Sequence, residues 1–199
     1  MNKKDMSERD ICTKYITPSL VQAGWDIKTQ IREEVTFTDG RVIVRGNVTT
    51  RGKKKRADYI LYHKSNLPIA VVEAKDNKHS VGDGMQQAIE YASILDLQFA
   101  YASNGDGFIE HDMKTGKEKE LSLDEFPSPQ ELWNRYKSTN DITEEEEKII
   151  TEPYHYKQGD KTPRYYQRIA INRTVEAVAK DWGIEFIIFS LIPQIERIR

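Results

Sequence analysis

Glu73 and Lys75 stand two residues apart at the end of an apolar run, Ile69-Ala-Val-Val-Glu73-Ala-Lys75-Asp76. In an extended chain they share one face with Ile69 and Val71, while Ala70, Val72 and Ala74 line the other. At about 3.3 Å of rise per residue their Cα atoms lie roughly 7 Å apart. Both faces upstream are apolar, so the run reads as an interior strand whose charged tip lines a cleft. A second strand-like run, Arg56-Ala-Asp58-Tyr-Ile-Leu-Tyr62, lies just before it, and a turn around Lys64 to Pro68 folds one back on the other. Asp58 and Glu73 then meet across the hairpin with Lys75 beside them. Two carboxylates and an amine at adjacent strand ends suit a hard divalent cation and a phosphodiester. Charged strand tips are more often solvated or ion-paired. Here the apolar flanks and the second acid make unpaired burial costly, so something cationic should compensate.

The elements needed to position these groups follow from pattern. Ser7 opens a helix with acids in its first turn, Ile11, Tyr15, Ile16, Leu20 and Ala23 recur at helical spacing, and Gly24 ends it. Residues 31–37 and 42–48, around Asp39-Gly40, read as a hairpin. Arg51-Gly-Lys-Lys-Lys-Arg56 reads as a basic loop. Gly82 and Gly84 mark a turn before a helix from Met85 to Leu95, with Ala88, Tyr91, Ala92 and Leu95 buried. Phe99 to Ser103 is a strand that a helical crossover can make parallel. Phe108 to His111 and a turn at Lys114 to Lys117 follow. Helix, strands, helix, strand amounts to an α/β domain with a mixed central sheet. Beyond Leu123 come a short helix over 130–137, a brief acidic helix over 143–150, a polar stretch over 152–162, a helix over 163–181 and an apolar tail over 186–192 interrupted by Pro193.

The totals set bounds. A chain of 199 residues with 38% hydrophobic and 31% charged residues supports one domain with a real core plus an appendage. No apolar run is long enough to span a bilayer, the N-terminus lacks a signal-peptide pattern, and the single Cys12 has no internal disulfide partner; together these point to an intracellular protein. A net charge of -2 does not announce nucleic-acid binding, so any such argument rests on local charge. The four histidines, His63, His79, His111 and His155, have no ligand-like spacing.

The helix after the strand adds Gln87 and Tyr91 on one face, four residues apart. By themselves they read as a surface amide and a core ring. Taken together, Asp58, Glu73-Ala-Lys75 and Gln87-x-x-x-Tyr91 resemble the PD-(D/E)xK nuclease motif with the Q-x-x-x-Y extension of RecB-like members. More closely, the chain is similar to the N-terminal nuclease region of the R subunit of type I restriction-modification enzymes. The supporting stretches run from Ile16-Thr-Pro-Ser-Leu20 and Gly24-Trp25 through Ala57-Asp58-Tyr59, Val71-Val-Glu-Ala-Lys75, Gln86-Gln-Ala-Ile-Glu-Tyr91-Ala and Ser103-Asn-Gly105 to Phe126-Pro-Ser-Pro129. Ala57 replaces the proline of the motif's name.

The resemblance implies a restriction-endonuclease-like core, a mixed sheet flanked by helices, with a helical C-terminal appendage. It implies Mg²⁺ held by Asp58, Glu73 and the Ala74 carbonyl, with Glu8 as a further metal or water ligand. Lys75 would orient the attacking water or stabilise the phosphorane-like state, and Gln87 and Tyr91 would support the site or touch the DNA backbone. Arg51, Lys53, Lys54, Lys55 and Arg56 would touch phosphates of double-stranded DNA, or form a solvated loop. The implied partners are the modification (M) and specificity (S) subunits, in a bacterial or archaeal cytoplasm, with no membrane. Pro163-Arg-Tyr-Tyr-Gln167 resembles the Q-motif opening a superfamily 2 helicase motor, in which Gln167 would read the adenine of ATP; a capped surface helix is the plain alternative. The G-x-x-x-x-G-K-[ST] loop does not follow, so this chain is expected not to hydrolyse ATP. The expected organisation is a nuclease domain over 1–125, a connector over 126–162 and the start of a motor over 163–199. The competing readings are a DNA-binding or assembly module that is idle without its motor, and a free-standing RecB-type exonuclease.

Overall fold

The structure, a computed structural model, describes residues 2–38, 42–45, 48–51, 53–153 and 163–181, with the backbone alone over 42–45 and 48–51. The expected Asp39-Gly40 turn, the polar stretch from residue 154 onward and the apolar tail lie outside the described residues. The chain divides into two compact units, Met1–Val35 with Ala57–Thr139, and Thr36–Arg56 with Asn140–Arg199.

The first unit opens with a helical run. Helix α1 (Glu8–Ile11) passes into a π turn (Cys12–Ile16) and then α2 (Thr17–Gln22). Ser7 accepts from the Asp10 amide and Asp10 reaches back to the Ser7 amide, a capping box that fixes the start. At the other end Gly24 takes φ +97°, its N–H bonds the Val21 carbonyl at 3.0 Å, and Trp25 bonds Leu20 at 3.1 Å, a Schellman stop. The expected uniform α-helix is corrected in its middle: the Thr17 amide bonds the Cys12 carbonyl, five residues back.

The main sheet has six strands in the order β1 (Ile31–Thr38), β4 (Lys54–Lys64), β5 (Leu67–Ala74), β6 (Phe99–Ser103), β7 (Phe108–Asp112), β8 (Glu118–Leu121), while β2 (Val42–Arg45) and β3 (Val48–Arg51) form a separate antiparallel ribbon. The expected β1–β2 hairpin is therefore corrected: β2 takes β3 as its partner and β1 borders β4. Likewise Lys54, Lys55 and Arg56, expected in a loop, open strand β4. Strand β8 was not foreseen, because its sequence Glu-Lys-Glu-Leu is polar at three of four positions.

Strands β4 and β5 run antiparallel, with Tyr59 opposite Val72 and Leu61 opposite Ala70; the register breaks near Tyr62, where Pro68 sits opposite it. A proline without an N–H fits an irregular strand start. Strands β5 and β6 are parallel, joined through α3 (Met85–Leu95), and β6–β7 and β7–β8 are antiparallel. The mixed sheet flanked by helices is the expected α/β architecture. Trp25, Tyr59, Tyr101, Phe99, Phe108, Ile11, Ile16 and Leu20 are among its fully buried side chains. Helix α4 (Pro129–Thr139) also belongs to this unit. Trp133 stacks on His63 at 4.4 Å, and Arg135 bonds Glu110 through both of its terminal nitrogens.

In the second unit α5 (Glu144–Ile150) packs on α6 (Tyr165–Ala179). The Tyr165 hydroxyl donates to the Thr38 carbonyl at 2.5 Å, and its ring meets Phe37 edge-on at 6.0 Å. Among the described residues no helix is long and apolar enough to cross a membrane.

Candidate active site

The interior strand β5 carries Glu73 into the middle of the sheet, where it is 1% exposed. Two features bury it. Gly84, in the turn before α3, comes so close that a Cβ there would touch the Glu73 Cβ at 3.5 Å and the Ala102 Cβ at 3.6 Å. The second is the neighbouring strand. Continuing the β4–β5 register by one pair sets Asp58 opposite Glu73.

The two acids interlock through backbone amides. The Asp58 N–H donates to Glu73 Oε1 at 3.3 Å, and the Ala74 N–H donates to Asp58 Oδ2 at 2.8 Å. Asp58 is half-buried and keeps an open side. Burial pushes the Glu73 carboxyl up to about 9, and the negative charge of Asp58 adds to the rise; the Asp58 amide and the more distant Lys75 ammonium oppose it without cancelling it. Glu73 is thus a desolvated acid short of positive charge.

Lys75 leaves the strand one residue later, and its own N–H still pairs with the Ser103 carbonyl at 2.8 Å. Its ammonium donates to Gln87 Oε1 at 3.2 Å, and Gln87 Nε2 donates to the Tyr91 hydroxyl at 3.0 Å. Gln87 and Tyr91, one turn apart on α3, therefore form a relay ending on the strand-tip amine. Tyr91 is buried, so its ring also serves the core.

Glu8 is half-buried at the start of α1. Its charge and that of Asp58 both help raise the Cys12 thiol to about 11, after burial, the larger cause. Arg51, Lys53, Lys54, Lys55, Arg56 and Gln167 belong to the second unit. Lys53, Lys54 and Arg56 are exposed and Lys55 half-buried. Gln167 Oε1 accepts the Arg164 N–H at 2.9 Å and so caps its own helix.

The donor set at the strand ends fits a hard divalent ion. It consists of oxygens alone, from two carboxylates and a backbone carbonyl, and the Lys75 ammonium does not offset the burial of the acid. Among the described residues no group of three or more His, Cys, Asp or Glu side chains could hold a metal, so an ion here would keep several waters, as Mg²⁺ does. Sequence reasoning missed Gly84 as the residue that seals Glu73, and it missed Asn77, which is buried just past Lys75. Gly84 was legible only as a turn residue, and an Asn beyond a strand end gives no periodic signal.

Three comparisons relate the chain to known proteins. Residues 27–127 match the family model described as type I restriction enzyme R protein N terminus. The chain is 49% identical over 183 residues to the type I restriction enzyme EcoAI endonuclease subunit of Escherichia coli, covering 90% of this chain and 23% of that protein. A solved fragment assigned as an HsdR subunit of a type I restriction enzyme from Vibrio vulnificus superposes with a TM-score of 0.75 at 46% identity, covering 88% of this chain and 33% of that one. The chain thus spans about a quarter of the curated relative and a third of the solved fragment. With the six-stranded mixed sheet and the matched segment lying over its strand-end acids, this chain belongs to the type I restriction enzyme R protein N-terminal family.

Proposed function

We propose that this chain is the Mg²⁺-dependent DNA endonuclease region of a type I restriction R subunit, cleaving phosphodiester bonds in unmodified foreign DNA. The observation that carries the reading is the pairing of Asp58 with a buried Glu73 beside a lysine aimed by Gln87. Asp58, Glu73 and the Ala74 carbonyl would hold the ion, and Glu8 is a candidate to bind one of its waters rather than the ion itself. When bound, Mg²⁺ supplies charge neutralisation at the scissile phosphate and a more acidic water.

The chain's own groups do the rest. Asp58 and Glu73 would fix where a cation sits, because each is tied to the opposite strand. Burial keeps a proton on Glu73 in the metal-free chain, and the residue would have to be a carboxylate to hold the ion. Lys75 orients the attacking water and stabilises negative charge growing on the phosphate. Gln87 holds the ammonium in place, and Tyr91 holds Gln87. Arg51, Lys53, Lys54, Lys55 and Arg56 neutralise backbone phosphates without reading sequence, which suits an enzyme whose target is chosen elsewhere. In the full-length subunit the work takes place in the bacterial or archaeal cytoplasm with M and S subunits and ATP, Gln167 contributing to the nucleotide site. The domain plan proposed for it is a nuclease over 1–125, a connector over 126–162 and a motor beginning at 163.

Plasmid nicking tests the proposal. Supercoiled DNA with Mg²⁺ should be nicked by this chain and left intact by Asp58→Ala and Lys75→Ala. Binding without cutting in Mg²⁺ and in Mn²⁺ would favour the assembly-module reading instead.

A further inference from the structure

Lys75 sits where strand β5 ends, and a cation at a strand end is only as well aimed as the chain that leaves it. The chain past Lys75 is held by one loop, Ser103 to Gly107, at the end of the parallel strand β6. On the near side of Lys75, its own amide bonds the Ser103 carbonyl at 2.8 Å. On the far side, Asn77 turns inward and is only 9% exposed. Its Nδ2 donates to the Asn104 carbonyl at 3.1 Å and to Asp106 Oδ2 at 2.9 Å. Asn104 returns the contact two residues further on, donating from Nδ2 to the His79 carbonyl at 2.8 Å.

The loop is itself fastened. Ser103 Oγ donates to the Gly107 carbonyl at 2.7 Å and accepts the Gly105 amide at 3.1 Å, and Asn104 Oδ1 accepts the Asp106 amide at 2.9 Å. Gly105 adopts φ +83°, and a Cβ there would come within 2.9 Å of the Ile11 side chain, so the loop lies flush against α1. From outside, Lys3 bonds the Gly105 carbonyl and makes a 2.7 Å ion pair with Asp106, holding that carboxyl below its ordinary range.

We propose that Asn77 is a positioning residue for the nuclease site: with Asn104 and Asp106 it forms a clasp that fixes the path of residues 75–79 and so aims the Lys75 ammonium at Gln87 and the carboxylate pair. The chemistry favours aim over bulk stability. The sheet already holds the Lys75 amide, the clasp grips the chain just past it, and it uses directional side-chain hydrogen bonds where apolar contacts would fill space equally well. This inference rests on the nuclease reading, but its central measurement does not.

The test compares Asn77→Ala with the unaltered chain in two ways. The first is competitive acetylation of lysines, quantified by mass spectrometry without metal or DNA. Lys75 should react about threefold faster or more in Asn77→Ala, while Lys14 and Lys64 keep their rates. The second is nicking at saturating Mg²⁺ and DNA, which should fall roughly 10- to 100-fold with DNA affinity retained. Unchanged Lys75 labelling in a folded Asn77→Ala overturns the clasp. If Lys75→Ala still nicks, the nuclease reading fails while the labelling result stands by itself. Should Asn77→Ala not fold, Asn77→Asp keeps the side-chain size and sets a carboxylate against Asp106; the same rise at Lys75 is expected, and its absence overturns the proposal.

Discussion

The Lys75 ammonium donates to Gln87 Oε1 at 3.2 Å, so a cation at a strand tip is aimed by the helix that follows. Gln87→Ala removes the acceptor without touching the core. Nicking should drop about tenfold, as is usual when a catalytic group loses its orienting partner, with the melting temperature nearly unchanged. Tyr91→Phe should have a smaller effect of the same sign, since it acts through Gln87. Single-turnover nicking rates check both.

The raised Glu73 carboxyl predicts a pH dependence with a definite sign. In the unfolded chain it loses its proton near 4.5, and in the folded, metal-free chain it holds it up to about 9. Between those values the native state binds more protons, so stability is highest below 4.5 as far as this group is concerned and declines as pH rises through 9. Melting curves with a chelator should show the decline, and Glu73→Gln should flatten it.

Metal binding should release protons. At pH 7.5 the metal-free carboxyl is mostly protonated, and an ion needs the carboxylate. Calorimetric titration with Mg²⁺ in two buffers of different ionisation enthalpy should report release of about one proton per ion bound. In Glu73→Gln the release should vanish along with most of the affinity.

The Glu110 carboxylate, 4% exposed, is bonded by Arg135 and by the Tyr101 hydroxyl at 2.6 Å. Arg135→Ala strands a buried charge. The loss should be about 3 kcal/mol in urea unfolding, the low end for a broken buried pair because Arg135 keeps some solvent contact. Arg135→Met with Glu110→Gln should recover much of it.

Lys53, Lys54 and Arg56 are exposed cations at and before the start of the strand that carries Asp58. Replacing any one with Gln should weaken DNA binding for all sequences alike. It should also flatten the slope of log K against log salt by about 0.9 per lost phosphate contact.

Much of the site was legible because it depends on strand periodicity and a short turn. Alternation along residues 69–75 fixed which side Glu73 faces, and a tight turn at Ser65-Asn66 left Asp58 little choice of neighbour. Helix α3 was readable from Met85 to Leu95, since glycine punctuation before it and the stripe of Ala88, Tyr91, Ala92 and Leu95 both mark it. The partners of β1 and β2 were not legible. An Asp-Gly pair signals a local hairpin, but strand choice within a sheet is settled by long-range packing, which short-range pattern does not encode. The consecutive cations of residues 51–56 mimic a loop in sequence; at the start of β4 they cost little. The clasp around Asn77 joins residues 27 and 29 apart through side-chain amides and one carboxylate, and no periodicity announces such a contact.

The π turn at Cys12–Ile16 has a consequence for how the opening helix meets the sheet. Ile11 and Ile16, five apart, are both fully buried, a pairing that an α-helix would splay by about 140° at 100° per residue. The turn therefore acts as a phase adjuster. Everything before it, Glu8 included, is rotated by about one residue's worth of azimuth relative to an unbroken helix. Excising a single residue there would return the segment to α geometry and swing that glutamate off its bearing, though neither cap nor core had been altered.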